Sequence, residues 1–205
     1  MYSSRELQKL LHKNLYSVLE QVGYKRKYEV IYYKPLRNNF HGFIGVFSSS
    51  CGYPYSQRVN VAFQISNADV EKLSCSLRGV KSHNGINCGP MQNLHSLIPG
   101  KGYNDLEWRI QDDNSTDRAI EEICLLLHKY VDPFFSENDN WEAYKQLVEK
   151  KTDWEKELLM PVILYLEGNK KGGEEYIIAQ KKIRPDKAYR DPDRMLFVEN
   201  YLKLL

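Results

Sequence analysis

Cys75, His83, Cys88 and His95 fall in one loop-rich stretch and are the first place in the chain to look for reactivity. Thiolate and imidazole are the ligands of structural zinc, but such sites present them in close pairs about two to four residues apart. No such pair occurs, so neither a metal nor any other cofactor is expected. Cys51 and His41 would make a nucleophile and its base only if neighbouring strands brought them together, and nothing in the sequence requires that. The run Ser48-Ser49-Ser50-Cys51-Gly52 lacks the leading glycine of a nucleophile elbow. No P-loop, dinucleotide fingerprint or H-E-x-x-H is present. Gly42 and Gly45 lie inside a strand pattern, where glycines mark close packing or a bulge rather than a phosphate cradle. The carboxylate pairs Asp112-Asp113 and Glu121-Glu122 belong to a helix start and a solvated face. His12 and His128 sit at helix positions that suit polar faces. Cys124 lies on an apolar stripe, and none of the four cysteines makes a C-x-x-C pair, so reduced, structural thiols are expected.

Charge is more informative locally than in total. The 29 basic and 27 acidic residues leave +2, too balanced for a strong global pull on nucleic acid or an anionic membrane. Lys25, Arg26, Lys27, Lys34 and Arg37 against Glu29 leave +4, and residues 170–190 hold a second basic excess of +4. Between Asp105 and Glu122 the balance is −5. Solubility and helix-dipole matching explain much of this; the sharper alternative is a polar surface that reads a charged partner. Neither basic segment interleaves aromatics as RNA-reading sheets do, so nucleic acid is disfavoured as a partner. No apolar run approaches the roughly 20 residues of a membrane helix. The first residues lack the pattern of a secretory signal, so a cytoplasmic location and no membrane association are expected. Fifteen tyrosines against seven phenylalanines suit half-buried sheet faces and interfaces.

The elements that must position these groups can be read from periodicity. Ser3-Ser4-Arg5-Glu6 is a capping box, and Leu7, Leu11, Leu15 and Leu19 continue one apolar helical face until Gly23 ends it. Strands are expected over 28–33 and 41–48. Clearest is 58–66, with Val59, Val61, Phe63 and Ile65 on one face and Arg58, Asn60, Ala62, Gln64 and Ser66 on the other. Weaker strand patterns cover 73–80 and 86–88, and Glu107–Ile110 returns to the sheet after an irregular excursion between Lys81 and Gly102. Asp112 starts a second amphipathic helix that Pro133 is expected to end.

Beyond a polar link at Ser136–Asn140 the chain reads as helical. Asn140, Thr152 and Asp191 are the caps, Pro161 is a kink or a shifted start, and the Lys170-Lys171-Gly172-Gly173 turn ends the second of these helices. The division expected is a sheet domain over 1–136 and a helical segment over 137–205.

The order helix, Gly23-Tyr24-Lys25-Arg26-Lys27, strand, Val59-Asn60-Val61-Ala62-Phe63-Gln64, Ile86-Asn87-Cys88-Gly89, Trp108 and a helix reaching Pro133-Phe134 resembles a family of small bacterial proteins known only as a domain of unknown function. The resemblance spans about residues 5–135. It implies a helix, an antiparallel sheet and a second helix, and brings no catalytic residue. The stretch from Gln64 to Ile86 is long for that family, and Cys88 replaces a more usual aliphatic residue.

The expectation is an α+β fold: an antiparallel sheet of four to six strands on two helices, followed by a helical C-terminal segment. The function expected is non-enzymatic protein interaction, immunity-like by analogy, with the partner surface at Lys25, Arg26, Lys27, Arg58, Gln64 and Trp108. The alternative is a small hydrolase or nucleotide-handling enzyme with His83, Asn87, Cys88 and His95 in the Lys81–Gly102 region. A third reading is nucleic-acid binding through Lys25–Lys27.

Overall fold

The structure, a computed structural model, describes residues 2–50, 56–81, 90–102, 105–151, 153–183 and 192–205. Its elements are α1 (Ser4–Gln21), β1 (Lys25–Tyr28), β2 (Ile31–Pro35), β3 (Phe40–Ser50), β4 (Gln57–Asn67), α2 (Ala68–Leu77), β5 (Met91–Asn93), a 3-10 turn (Leu94–Leu97) and β6 (Trp108–Ile110). Then follow α3 (Asp113–Leu126), a π turn (Leu127–Val131), α4 (Asp132–Asn138), α5 (Trp141–Glu149), α6 (Asp153–Leu166), α7 (Lys170–Ile183) and α8 (Pro192–Leu204). The fold is α+β, with a six-stranded antiparallel sheet in the order β1-β2-β3-β4-β5 and β6 also paired to β4. Two compact units divide the chain: Met1–Leu36, Gly42–Gln64 and Met91–Glu137 form one, and Arg37–His41, Ile65–Pro90 and Asn138–Leu205 the other.

In the first unit α1 begins with the capping box read from the sequence: the Ser3 hydroxyl accepts from the Glu6 amide and the Glu6 carboxylate from the Ser3 amide. Leu7, Leu11, Leu15 and Leu19 are all buried, and Gly23 takes the left-handed conformation, φ 89°, that stops the helix. The strand expected over 28–33 is instead a hairpin. Lys25-Arg26-Lys27-Tyr28 is itself the edge strand β1, the chain turns at Glu29-Val30, and β2 returns with Tyr33 opposite Lys25 and a bulge between Arg26 and Tyr28. A short, lysine-bearing, bulged edge discourages indiscriminate strand pairing. On the far side β4 carries two short strands in succession, β6 at Gln57–Val59 and β5 at Ala62–Gln64.

The helices of this unit lie on one face of the sheet. The ring of Phe135 on α4 packs edge-on to Phe63 of β4 and covers Gly42 of β3, where a Cβ would collide with that ring. The glycine is thus a packing requirement of the sheet. His12 does not face solvent as expected: it is 1% exposed, with Nδ1 2.9 Å from the Tyr32 hydroxyl. Pro133 does not end the second helix. The π turn widens the ladder just before it, so the proline falls at the first turn of α4, where its missing N–H and ring are tolerated.

In the second unit the strand expected over 73–80 is the helix α2. Asn67 accepts from the amides of Asp69 (3.0 Å) and Val70 (3.3 Å), Asp69 and Glu71 supply acid to the first turn, and Val70, Ser74 and Leu77 bury one face. Gly79, at φ 67°, follows the C-terminus. Phe40 packs edge-on to Trp141 and Tyr144 at 5.7 and 5.3 Å. Arg37 grips the buried Asp139 through two donors at 2.6 and 2.8 Å, which holds that carboxyl below the usual carboxylate range. Gly172 and Gly173 form no turn; they lie in the first turn of α7, beginning at Lys170. A Cβ on Gly173 would strike the Tyr201 hydroxyl, which donates to the Pro161 carbonyl at 3.0 Å, so the glycine lets α7 approach α6 and α8 closely. α6 runs on through Pro161.

Candidate interaction face

Strand alternation assigns each side chain of the first unit to a face. Phe63 and Gly42 meet Phe135, so Gly42, Ile44 and Val46 of β3 and Val59, Val61 and Phe63 of β4 look toward the helices. On the other face lie Phe43, Gly45 and Phe47 of β3, with Arg58, Asn60, Ala62 and Gln64 of β4. Register extends that face across the sheet: Lys25 lies opposite Tyr33, Arg109 opposite Arg58, Asn93 opposite Ala62 and Met91 opposite Gln64. The face is open at Phe47, Met91, Arg58 and Arg109, whereas Phe43, Ala62 and Gln64 on it are buried.

Its middle is aromatic. Tyr33 stacks on Phe43 with centroids 6.1 Å apart, and the Lys27 ammonium sits 5.2 Å from the Phe43 centroid and 5.8 Å from that of Tyr33. Phe47 lies over Gly45, where a Cβ would meet its ring at 2.5 Å, and remains 42% exposed. Met91 at the far rim is 59% exposed. One end is basic in an unusual way. Arg58 and Arg109 are direct cross-strand partners, an arrangement of like charges that costs stability. Glu107 relieves it by reaching both guanidiniums, at 2.9 Å from Arg58 Nε and 3.2 Å from Arg109 Nε. A single carboxylate therefore serves two guanidiniums whose side chains are 41% and 62% exposed.

Of the residues expected at a partner surface, Lys25, Lys27 and Arg58 share this face. Arg26 is exposed beside them but belongs by register with Tyr32 on the helix side, and donates to the Glu29 carbonyl at 3.3 Å. Gln64 has the right orientation and is 7% exposed, because β4 is covered on both faces from Val61 onward. Trp108 faces the helices, is 8% exposed, and donates its indole N–H to Glu122 at 2.8 Å. Tyr33, Phe47 and Arg109 complete the face, and only cross-strand register finds them.

Much of the acidic segment is bonded within the unit. Glu122 accepts from Trp108, Asp113 from the Tyr2 hydroxyl at 2.9 Å, Asp112 caps α3, and Asp105 accepts the Gly102 amide at 2.6 Å. On the helix side Asp132 Oδ1 accepts from the Tyr24 hydroxyl at 2.9 Å and from Lys34 at 3.1 Å. Burial first and Asp132 second push the Tyr24 hydroxyl upward, so it stays protonated and holds the helix end rather than acting as a base.

Of the alternative enzymatic set, His83, Asn87 and Cys88 lie outside the described residues, as do Cys51 and the strand expected over 86–88. His95 lines a shallow depression with Asn60, Val61, Asn93, Leu94, Leu106 and Trp108, with room for about one water molecule. A small-molecule site is usually hundreds of cubic ångströms. Cys75 is buried, and burial pushes the half-buried Cys124 thiol up to about 11, the behaviour of structural thiols. No group of three or more His, Cys, Asp or Glu side chains suited to a metal occurs among the described residues. No helix among them is long and apolar enough to cross a membrane. Compared with protein-family models, curated proteins and solved structures, the chain gives no match.

Proposed function

We propose that this chain is a non-enzymatic protein-interaction module whose sheet face bearing Lys25, Lys27, Arg58 and Arg109 takes an acidic segment of another protein. The observation that carries the reading is the charge arrangement of that face. Lys25 and Lys27 flank Tyr33, Arg58 and Arg109 are paired across β4 and β6, Glu107 serves those two cations at once, and much of the nearby acidic segment is bonded elsewhere. Exposed arginine forks take partner carboxylates in a bidentate fashion, and half-exposed aromatics supply apolar contact at small entropic cost. An immunity-like role, neutralising a partner by covering its acidic surface, is the form of this reading that suits a module without a reaction centre.

The test is a titration of the chain with a Glu/Asp-rich peptide, with a single-stranded oligonucleotide as the competing polyanion. Binding of the peptide should weaken with salt. The double variant Lys25→Glu/Lys27→Glu should lower affinity by about tenfold or more, since it replaces attraction by repulsion at the rim. Glu107→Gln should act in the opposite sense, tightening peptide binding while lowering stability by about 0.5 kcal/mol through the uncovered arginine pair. Peptide affinity indifferent to both changes, or tighter binding of the oligonucleotide, would overturn the reading.

A further inference from the structure

Arg58 and Arg109 carry more hydrogen-bond donors than the fold uses. They face each other across β4 and β6, on the sheet face that also bears Tyr33 and Phe47. A single oxygen atom holds both at Nε. Arg109 Nε donates to Glu107 Oε1 at 3.2 Å, and Arg58 Nε lies 2.9 Å from the same atom, out of line for a good hydrogen bond. The two guanidiniums therefore lie side by side. Glu107 is the least exposed of the three, its side chain 16% open against 41% and 62% for the arginines. Among the described residues no hydrogen bond or ion pair engages the terminal amino nitrogens of either guanidinium. Asn60, two residues along β4 from Arg58, adds a neutral amide to the same face.

One guanidinium edge matches one carboxylate, whose two oxygens lie in a plane with it. Bridging two neighbouring edges at once calls for acceptor oxygens that diverge. A phosphomonoester sets three strong acceptors around one phosphorus and carries about −1.5 to −2 charge at pH 7. The phosphodiesters of nucleic acid offer fewer free oxygens and less charge per phosphorus, a poorer match to the pair. The geometry points to a phosphoryl-binding site, in which Arg58 and Arg109 together take a phosphorylated serine or threonine of the partner's acidic segment. This inference rests on the acidic-segment reading above and names the group that the arginine end of the face recognises. Phosphorylation of the partner then controls its capture.

Fluorescence anisotropy of the whole chain with three Glu/Asp-rich peptides tests it, the peptides being identical except for a central serine, phosphoserine or glutamate. The phosphoserine peptide should bind about fivefold or more tighter than the glutamate peptide. Arg58→Lys/Arg109→Lys keeps both charges and removes both forks. It should erase that preference while leaving affinity for the glutamate peptide within about twofold. Arg109→Lys alone, at the more exposed position, should at least halve the preference, and it serves should the double variant lose its circular dichroism spectrum. Equal affinity for the phosphoserine and glutamate peptides would overturn the inference and leave the acidic-segment reading standing. Binding of none of the three would overturn both. A preference that survives the lysine changes, or a single-stranded oligonucleotide that displaces the phosphopeptide at equal phosphate concentration, would also overturn the inference.

Discussion

Phe135→Ala is expected to cost about 4 kcal/mol of folding stability, seen as a lower midpoint in urea unfolding at neutral pH. Phe135 is 1% exposed, lies 6.4 Å edge-on from Phe63 and 6.1 Å from Phe134, and closes the helix side of the sheet over Gly42. Truncation removes the transfer energy of a whole ring and leaves a cavity between a strand and a short helix that cannot collapse fully. The partner substitution sharpens the test. Gly42→Ala alone should cost about 1–3 kcal/mol, because its Cβ enters the space of the Phe135 ring and a strand backbone has little freedom to yield. In the Phe135→Ala background the same methyl enters a void and its cost should largely vanish. Costs that simply add would mean that Gly42 and Phe135 are not packed against each other.

The second large effect is on pH dependence. The His12 ring is buried against Tyr32, and burial first, with Arg26 next, lowers its pKa to about 4; Glu29 acts weakly the other way. In the unfolded chain the ring should titrate near 6.5. Between those values the unfolded state binds the proton that the native state refuses, so stability falls as pH drops from 6.5 to about 4. Above 6.5 the ring is neutral in both states and the full contribution is present. A gap of that size corresponds to about 3 kcal/mol at 1.36 kcal/mol per pH unit. Asp112 and Asp139 are held below their ordinary values near 3.8, so their contributions persist above that value and are lost at more acid pH. The window from 6.5 to 4 therefore isolates the histidine from these two carboxylates. His12→Gln should flatten the stability profile across it, by urea unfolding at successive pH values. A variant profile parallel to the wild type would contradict the buried, neutral ring.

How much of this was legible depended on whether the cause was local. The capping box at Ser3, the helix start at Asp112, the stop at Gly23 and the alternation of β4 are local chemistry, and they hold. His12 was misread because its helix position borders the leucine stripe, and only the distant Tyr32 hydroxyl makes burial tolerable there. Pro133 and the Gly172-Gly173 pair are ordinary stop signals overridden by context, one by a π turn and the other by the approach of Tyr201. In α2 a helical spacing of Val70, Ser74 and Leu77 outweighed the strand-like run that follows Leu73.

The proposed interaction face is half legible in the sequence. Lys25, Lys27 and Arg58 stand out as charges, but their grouping with Tyr33, Phe47 and Arg109 depends on which strands are neighbours and in what register. Nothing within one strand specifies that. Gln64 and Trp108 show the converse error: alternation oriented Gln64 correctly without revealing that the strand is covered there, and a lone tryptophan read as a contact residue is a helix-side anchor for Glu122.

The direct test of the central claim is a map of backbone amide shifts as a Glu/Asp-rich peptide is added to the chain. Shifts should concentrate at Lys25, Lys27, Tyr33, Phe47, Arg58 and Arg109 and fade as salt is raised. Shifts confined to α1 and α3 on the opposite side of the sheet, with that face unchanged, would contradict the account.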